Sequence, residues 1–196
     1  MGATSEDADD RPPNRPDELT ATWLQRVLAV PGDELLGFET SPLGEGVGLM
    51  GIVHRVRLRW AAGHGPASVI VKFPTDIPAN LAVAEHFGIY RREVLFYRDV
   101  APLTSIAVPH LLHAELDGPT RFVMVLEDLA DHRPGDQVAG CTVEEAAACI
   151  DEMVKLHAPF WDRVNDPRFE FAFLHAPSLH STGMADATVN GWDPMA

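Results

Sequence analysis

The chain has 196 residues, of which 46% are apolar, enough for one sizeable core or for one small lobe and the start of a second. With 29 acidic and 15 basic side chains the net charge is -14, so neither nucleic acid nor an anionic membrane is an expected partner. No apolar run reaches the length of a membrane span and the first residues lack the pattern of a signal peptide, which predicts a cytoplasmic protein.

The first predicted elements are a polar arm and an amphipathic helix. Residues 1 to about 17 combine Asp, Glu, Pro and Arg with almost no large apolar side chain, which predicts a disordered arm. Thr20 is placed to cap a helix from Ala21 to about Val30, and the following Pro31-Gly32 pair would end it. An apolar stripe on this helix should pack on the body of the protein. The stripe consists of Trp23, Leu24, Val27 and Leu28.

The next segments predict three strands connected by turns. Alternating or β-branched apolar residues mark strands from Phe38 to Leu43, from Ile52 to Trp60 and from Ser68 to Phe73. A cluster of glycines separates the first two strands, and a turn rich in Gly and Ala separates the second from the third. Short connections of this kind predict an antiparallel meander.

A helical pattern and two more strands follow. The pattern runs from about Asn80 to Val100, and Gly88 leaves open whether it forms one helix or two. Two further strands, from His110 to Leu116 and from Arg121 to Leu126, are joined by the tight-turn pair Asp117-Gly118. The prediction is an α+β lobe in which a helix accompanies an antiparallel sheet of about five strands.

The pattern changes from mixed to helical near the end of this lobe. We predict the lobe over residues 18 to 129, a polar linker over 130 to 141, and the start of a second, helical lobe over 142 to 196. Thr142 and Glu145 have the spacing of a capping box, in which each side chain accepts a hydrogen bond from the other residue's backbone N–H.

Three glycines give the spacing Gly-x-Gly-x-x-Gly at Gly46, Gly48 and Gly51. In a dinucleotide-binding fold a helix follows this turn, whereas here a predicted strand follows. A glycine turn between antiparallel strands lets backbone N–H groups lie over the phosphates of ATP, because glycine allows close approach and positive φ. These glycines are therefore predicted to bind ATP, and a glycine-rich hairpin without a ligand is the alternative.

Lys72 and Glu93 are the predicted catalytic pair. Lys72 lies near the end of a buried strand, where its ammonium can reach the α and β phosphates of ATP or, alternatively, extend into solvent. Glu93 falls on an apolar face of the predicted helix, and a carboxylate there is costly unless a cation pairs with it. Lys72 is the natural partner. Glu85 is a rival for the lysine, and a solvent-exposed Glu93 is the other alternative.

A buried strand ends in the acidic turn Glu127-Asp128-Leu129. Backbone groups at such a strand end can read the edge of an adenine ring, so Glu127 and Leu129 are predicted to bind the nucleotide. The glycine turn, the lysine, the helical carboxylate and this acidic turn follow one another in the order that holding ATP requires, so each strengthens the others.

No metal site is predicted. His110, His113 and Glu115 have the residue types of a metal site, but strand alternation sends the two histidines to opposite faces of the sheet. Cys141 and Cys149 have the spacing of neither a disulfide framework nor a metal or redox motif, and we expect both to be ordinary thiols.

Several motifs together resemble the N-terminal part of the aminoglycoside phosphotransferase and ecdysteroid-kinase-like family of small-molecule kinases, over about residues 17 to 162. The motifs are Leu43-Gly44-Glu45-Gly46-Val47-Gly48, Val71-Lys72-Phe73, Tyr90-x-x-Glu93-x-x-Phe96-Tyr97, Val125-Leu126-Glu127-Asp128-Leu129, Gly135-Asp136-Gln137 and Leu156-His157-Ala158-x-Phe160-Trp161.

The resemblance implies a protein-kinase-like N-lobe, with ATP between two lobes, Lys72 paired with Glu93, and Glu127 to Leu129 as the hinge that meets adenine. It implies a phosphotransferase that uses ATP to phosphorylate a hydroxyl of a small molecule, although the sequence does not identify that substrate. In this family a later His-x-Asp-x-x-x-x-Asn loop and a further Asp supply the base and the magnesium ligands.

The sequence departs from the family in that none of its nine histidines begins such a loop. We therefore expect a truncated kinase, ending at Ala196, that transfers no phosphate by itself and needs magnesium only with the missing lobe. One alternative is a non-catalytic nucleotide-binding or interaction module. Another is a degenerate relic, whose helix from 143 to 157 would expose apolar surface. The oligomeric state is not predicted.

Overall fold

The fold is centred on one antiparallel sheet. A computed structural model describes residues 11–44, 50–133, 135–136 and 138–163. Within these residues five strands pair in the order β1-β2-β3-β5-β4. The strands are Leu35–Pro42 (β1), Gly51–Trp60 (β2), Ser68–Pro74 (β3), Leu111–Leu116 (β4) and Phe122–Glu127 (β5). The predicted α+β class, the meander of the first three strands and the five-stranded sheet are confirmed.

Four α-helices accompany the sheet in the described part of the chain. They are Ala21–Leu28 (α1), Pro78–Phe87 (α2), Ile89–Leu95 (α3) and Val143–His157 (α4). The long helical pattern after β3 therefore forms two helices. Gly88 between them has a φ of 60°, a left-handed conformation that glycine adopts without strain. A π-helical turn, Phe96–Val100, continues α3.

Helix α1 covers one face of the sheet. The Trp23 backbone N–H donates a hydrogen bond to Thr20 Oγ1 at 3.1 Å, so the predicted N-cap is present. Trp23 and Leu24 are buried in a cluster with alternate side chains of β2, β3 and β5. The predicted apolar stripe of α1 thus packs on the sheet. Its burial is the main reason why this short helix is stable in the protein.

Helix α1 also sets where β1 begins. The Gln25 side chain accepts a hydrogen bond from the Leu35 N–H at 2.5 Å and donates one to the Asp33 carbonyl at 3.1 Å. These bonds hold the chain extended from Leu35, three residues before the predicted start at Phe38. The strand starts earlier than predicted because a contact with the preceding helix extends it. The local sequence pattern does not show such a contact.

Residues 11–17 belong to the predicted disordered arm, yet they make defined contacts. Pro13 is buried, and the Asn14 N–H donates to the Glu18 carboxylate at 2.7 Å. The Arg121 guanidinium, beside the start of β5, donates to the Pro12 carbonyl at 3.3 Å. In this part of the arm, these hydrogen bonds and the burial of Pro13 compensate for a composition that is poor in apolar residues.

Helices α2 and α3 cover the other face of the sheet at the β5 side. Tyr90 stacks on Phe122 with ring centroids 4.4 Å apart and planes 17° from parallel. Val94 of α3 joins the same buried cluster as Met124 and Leu126 of β5. Because β5 is buried on both faces, it forms the centre of the packing and fixes α3 over the sheet.

Helix α4 has the capping box that the sequence predicted. The Glu145 N–H donates to Thr142 Oγ1 at 3.1 Å, and the Thr142 N–H donates to the Glu145 carboxylate at 2.8 Å. Leu156 and Phe160, at the end of the helix, pack on Leu95. Much of the apolar face of α4 is exposed. Among the described residues, no helix is both long and apolar enough to cross a membrane.

Candidate functional site

The structure brings Lys72 and Glu93 together in an ion pair. Lys72 is near the end of β3, paired with Val53 of β2 and Met124 of β5, so it lies in the middle of the sheet. Glu93 is on α3, and the two side chains are 24% and 28% exposed. The rival carboxylate, Glu85, is exposed on α2. The lysine is therefore held over the sheet by the helix, as the apolar surroundings of Glu93 predicted.

Two tyrosines, Tyr90 and Tyr97, lie close enough to the Glu93 carboxylate for its charge to act on them. Burial raises the pKa of the Tyr90 hydroxyl, and the negative charge of Glu93 raises it further. The same two causes raise the pKa of Tyr97. The Thr75 N–H donates a hydrogen bond to the Tyr90 hydroxyl oxygen at 3.1 Å. This bond ties α3 to the residue after β3 and so helps to fix Glu93 relative to Lys72.

A cleft of about 510 Å³ opens on the same face of the sheet. Ile70, two residues before Lys72 on β3, lines it, and side chains two apart on a strand share a face. Leu43, directly after β1, and Leu126, near the end of β5, add apolar walls. The remaining lining residues are Gly44, Arg55, Pro109, Glu127, Asp128, Leu129, His132 and Arg133. The volume is within the range of about 300–1,000 Å³ that is typical of small-molecule sites.

The acidic turn after β5 forms one wall of the cleft. The Glu127 N–H donates to the His110 carbonyl at 2.9 Å, and the His110 N–H donates to the Glu127 carboxylate at 3.1 Å. The His132 N–H donates to the Leu129 carbonyl at 2.9 Å. These bonds shape the segment Glu127–Leu129, called the hinge below, and both predicted nucleotide-binding residues in it lie at the cleft.

A second ion pair lies at the hinge, and the sequence did not predict it. Arg55 Nε and Nη2 donate to the two carboxylate oxygens of Asp128 at 2.7 and 3.1 Å. The Ser68 hydroxyl donates to the same carboxylate at 2.6 Å. Burial alone would raise the pKa of Asp128, but these hydrogen bonds and the positive charges of Arg55 and Arg57 hold it below its ordinary value. Asp128 is consequently a charged, fully engaged group beside the cleft.

The sequence indicates that Asp128 needs a hydrogen-bond donor, but it does not indicate which residue is that donor. An acidic residue directly after a buried strand needs a donor, but three arginines alternate along β2 and nothing local selects one of them. Arg55 and Asp128 are 73 residues apart in the chain, so only the strand order brings them together. The strand order likewise brings Ser68, 60 residues from Asp128 in the chain, within hydrogen-bond distance of it.

The predicted glycines are described only in part. Gly46 and Gly48 lie outside the described residues, so their role over phosphates stays a prediction. Gly51 is the first residue of β2, and a Cβ atom there would lie 3.1 Å from the Phe73 carbonyl oxygen. The absence of a side chain at Gly51 thus permits close approach of β2 to β3.

The histidines near β4 form a local contact. His113 Nε2 lies 2.6 Å from the Glu115 carboxylate, and the His113 ring packs edge-on against Trp23 with centroids 5.7 Å apart. Over the part of the chain that the structure describes, no three His, Cys, Asp or Glu side chains cluster as a metal site would require. Cys141 and Cys149 are free and exposed.

A kinase-like N-lobe is the class of domain that this sheet, its helix α3 and the Lys72–Glu93 pair define. A sequence model of the Ecdysteroid kinase-like family matches residues 45–190. The chain belongs to this family, which consists of small-molecule kinases with a protein-kinase-like fold. Searches of curated proteins and of solved structures found no match.

Proposed function

We propose that this chain is the nucleotide-binding part of a kinase that transfers phosphate from ATP to a hydroxyl of a small molecule. The observation that carries the proposal is the Lys72–Glu93 ion pair on the sheet face that also bears the cleft. Membership of a small-molecule kinase family supports the same reaction class. Neither feature identifies the acceptor molecule.

Each group has a distinct task in this proposal. The Lys72 ammonium neutralises charge on the α and β phosphates, and Glu93 keeps that ammonium in place. The turn containing Gly46, Gly48 and Gly51 covers the phosphates. Backbone groups of the hinge read the adenine edge, while the apolar walls at Leu43, Ile70 and Leu126 contact the ring faces.

The transfer step needs two further functions, a proton acceptor and magnesium ligands. The 196 residues contain no His-x-Asp-x-x-x-x-Asn sequence, and the described residues contain no cluster suited to a metal ion. We therefore assign no magnesium ligand and no base among the residues that the structure describes. The residues placed in the site above account for nucleotide binding.

A second candidate is a nucleotide-binding or interaction module that performs no transfer, because the ion pair and the cleft support nucleotide binding equally well in either case. The two candidates share the ATP site and differ in turnover. Transfer of γ-phosphate to a panel of small hydroxyl compounds, measured with labelled ATP and magnesium, supports the kinase. ATP binding without transfer, in a protein that contains every residue of the natural gene product, supports the module.

Binding itself is tested by calorimetric titration of ATP into the chain and into Lys72→Ala. We expect the variant to lose affinity about tenfold or more, because charge-assisted hydrogen bonds contribute roughly 1.5–3 kcal/mol. Lys155→Ala is the matched control, since Lys155 is the other lysine of the chain and pairs with Glu152 on α4. Equal ATP affinity in Lys72→Ala and wild type would sink the proposal.

A further inference from the structure

Three side chains from three separate segments of the chain meet at the hinge. Arg55 comes from β2, Ser68 from the start of β3, and Asp128 directly follows β5. Their contacts, at 2.6 to 3.1 Å, give the Asp128 carboxylate three donors. The Asp128 side chain is 4% exposed, whereas that of Arg55 is 27% exposed. A nearly buried carboxylate depends on such donors, because removing one of them leaves a charge without compensation.

The register of the strands shows what these contacts connect. Arg55 is the cross-strand partner of Ile70, and Ile70 is the partner of Leu126. All three residues line the cleft, so they form one row across its wall. Asp128 lies two residues beyond Leu126, and its bond to Arg55 joins the hinge back to this row. The hinge cannot move away from β2 and β3 unless these hydrogen bonds break.

We propose that Arg55, Ser68 and Asp128 are positioning residues for the base of a bound purine nucleotide. This inference rests on the proposed function, because it assumes that the hinge reads the base. Asp128 lies between Glu127 and Leu129, so anchoring its side chain fixes the backbone on both sides. The anchor acts at the base end of the cleft, whereas Lys72 acts on the phosphates. It therefore controls affinity for the base and leaves affinity for the phosphates unchanged.

The comparison of two probes separates positioning from general stabilisation. ATP carries base and phosphates, whereas inorganic tripolyphosphate carries the phosphates alone. In calorimetric titrations of the whole chain, Asp128→Asn and Arg55→Lys should bind ATP about tenfold more weakly, the effect of losing one charge-assisted hydrogen bond. Arg55→Lys keeps the positive charge but loses the two-point contact. The affinity for tripolyphosphate should stay within about twofold of wild type, which is the size of effect expected when a substitution removes no contact with the ligand.

The controls keep this test decisive. Arg57→Gln removes a charge that also faces Asp128 but makes no hydrogen bond to it, so its ATP affinity should match wild type. Ser68→Ala removes a single hydroxyl and should show a smaller loss for ATP than Asp128→Asn. If Asp128→Asn does not fold, Ser68→Ala and Arg55→Lys still decide the matter. Equal losses for ATP and tripolyphosphate, or no loss for either, would overturn the inference.

Failure of the inference can be told apart from failure of the proposed function. If wild type binds ATP in a Lys72-dependent manner and the hinge variants bind it equally well, the positioning role alone is wrong. If wild type binds neither probe, or if Lys72→Ala binds both as well as wild type does, the nucleotide site and the inference are wrong together.

Discussion

We expect Glu93→Gln to weaken ATP binding, although Glu93 makes no contact with the nucleotide in the proposed site. The carboxylate holds the Lys72 ammonium in an ion pair, and the amide of Gln keeps the shape but removes the charge. The freed lysine can then adopt many conformations, so binding has to order it again. The loss of ATP affinity should therefore depend on the presence of Lys72. A general loss of protein stability would not depend on Lys72, so the two causes can be distinguished.

The exposure of the two side chains sets the size of this effect. They are 24% and 28% exposed, between a surface pair and a buried one. Surface pairs contribute about 0.2–1 kcal/mol, whereas breaking a buried pair costs about 3–5 kcal/mol. We expect about 1–2 kcal/mol for Glu93→Gln, which corresponds to a loss of roughly 5- to 30-fold in ATP affinity.

A double-mutant cycle measures this coupling. Calorimetric ATP titrations of wild type, Glu93→Gln, Lys72→Ala and the double variant give the coupling free energy between the two positions. Glu93→Gln should have little effect once Lys72 is already Ala, and Glu85→Gln, which alters the exposed carboxylate of α2, should have little effect in any background. The reasoning is refuted if Glu93→Gln lowers ATP affinity as much in the Lys72→Ala background as in wild type.

Three predictions concern the fold. Leu24→Ala empties a fully buried position under α1 and should lower the free energy of unfolding by about 2–5 kcal/mol, measured by urea denaturation. Thr142→Ala removes the N-cap of α4 and should cost about 1 kcal/mol in the same assay. Asp33 accepts hydrogen bonds from three backbone N–H groups, which outweigh burial and lower its pKa, so Asp33→Asn should destabilise the protein more at pH 6 than at pH 3.

The sign of the pH effect follows from the lowered pKa of Asp33. Its stabilising contribution is present above the unfolded pKa of about 3.9 and is lost as pH falls through the lower value of the folded protein. A constant difference between wild type and Asp33→Asn across this range would contradict it. Leu36→Ala is the control for Leu24→Ala because Leu36 is 53% exposed, and equal costs would contradict the assigned core. An unchanged unfolding midpoint in Thr142→Ala would contradict the cap.

The elements that the sequence predicted well are those with local signals. The capping box at Thr142 and Glu145 marks the start of α4, and the left-handed residue Gly88 marks the break that the sequence had left open. The Lys72–Glu93 pair was also predictable, because a carboxylate among apolar side chains on a helix requires a cation and Lys72 lies near the end of a buried strand.

What the sequence could not predict depends on contacts between distant segments. Arg55 was one of three alternating arginines, and its selection by Asp128 follows from the pairing of β2, β3 and β5. The early start of β1 at Leu35 depends on a hydrogen bond that the Leu35 N–H donates to the Gln25 side chain of α1. Propensity and periodicity describe a segment by itself, so they cannot reveal bonds of this kind.

The most direct test of nucleotide binding uses the two lysines of the chain, Lys72 and Lys155. An ATP analogue with an acyl group on its terminal phosphate acylates a lysine amine that lies beside the bound phosphates, and peptide mass spectrometry locates the product. We predict acylation of Lys72 that excess ATP suppresses, with any acylation of Lys155 insensitive to ATP. Acylation of Lys72 that excess ATP does not suppress, or acylation of Lys155 alone, would contradict the proposed site.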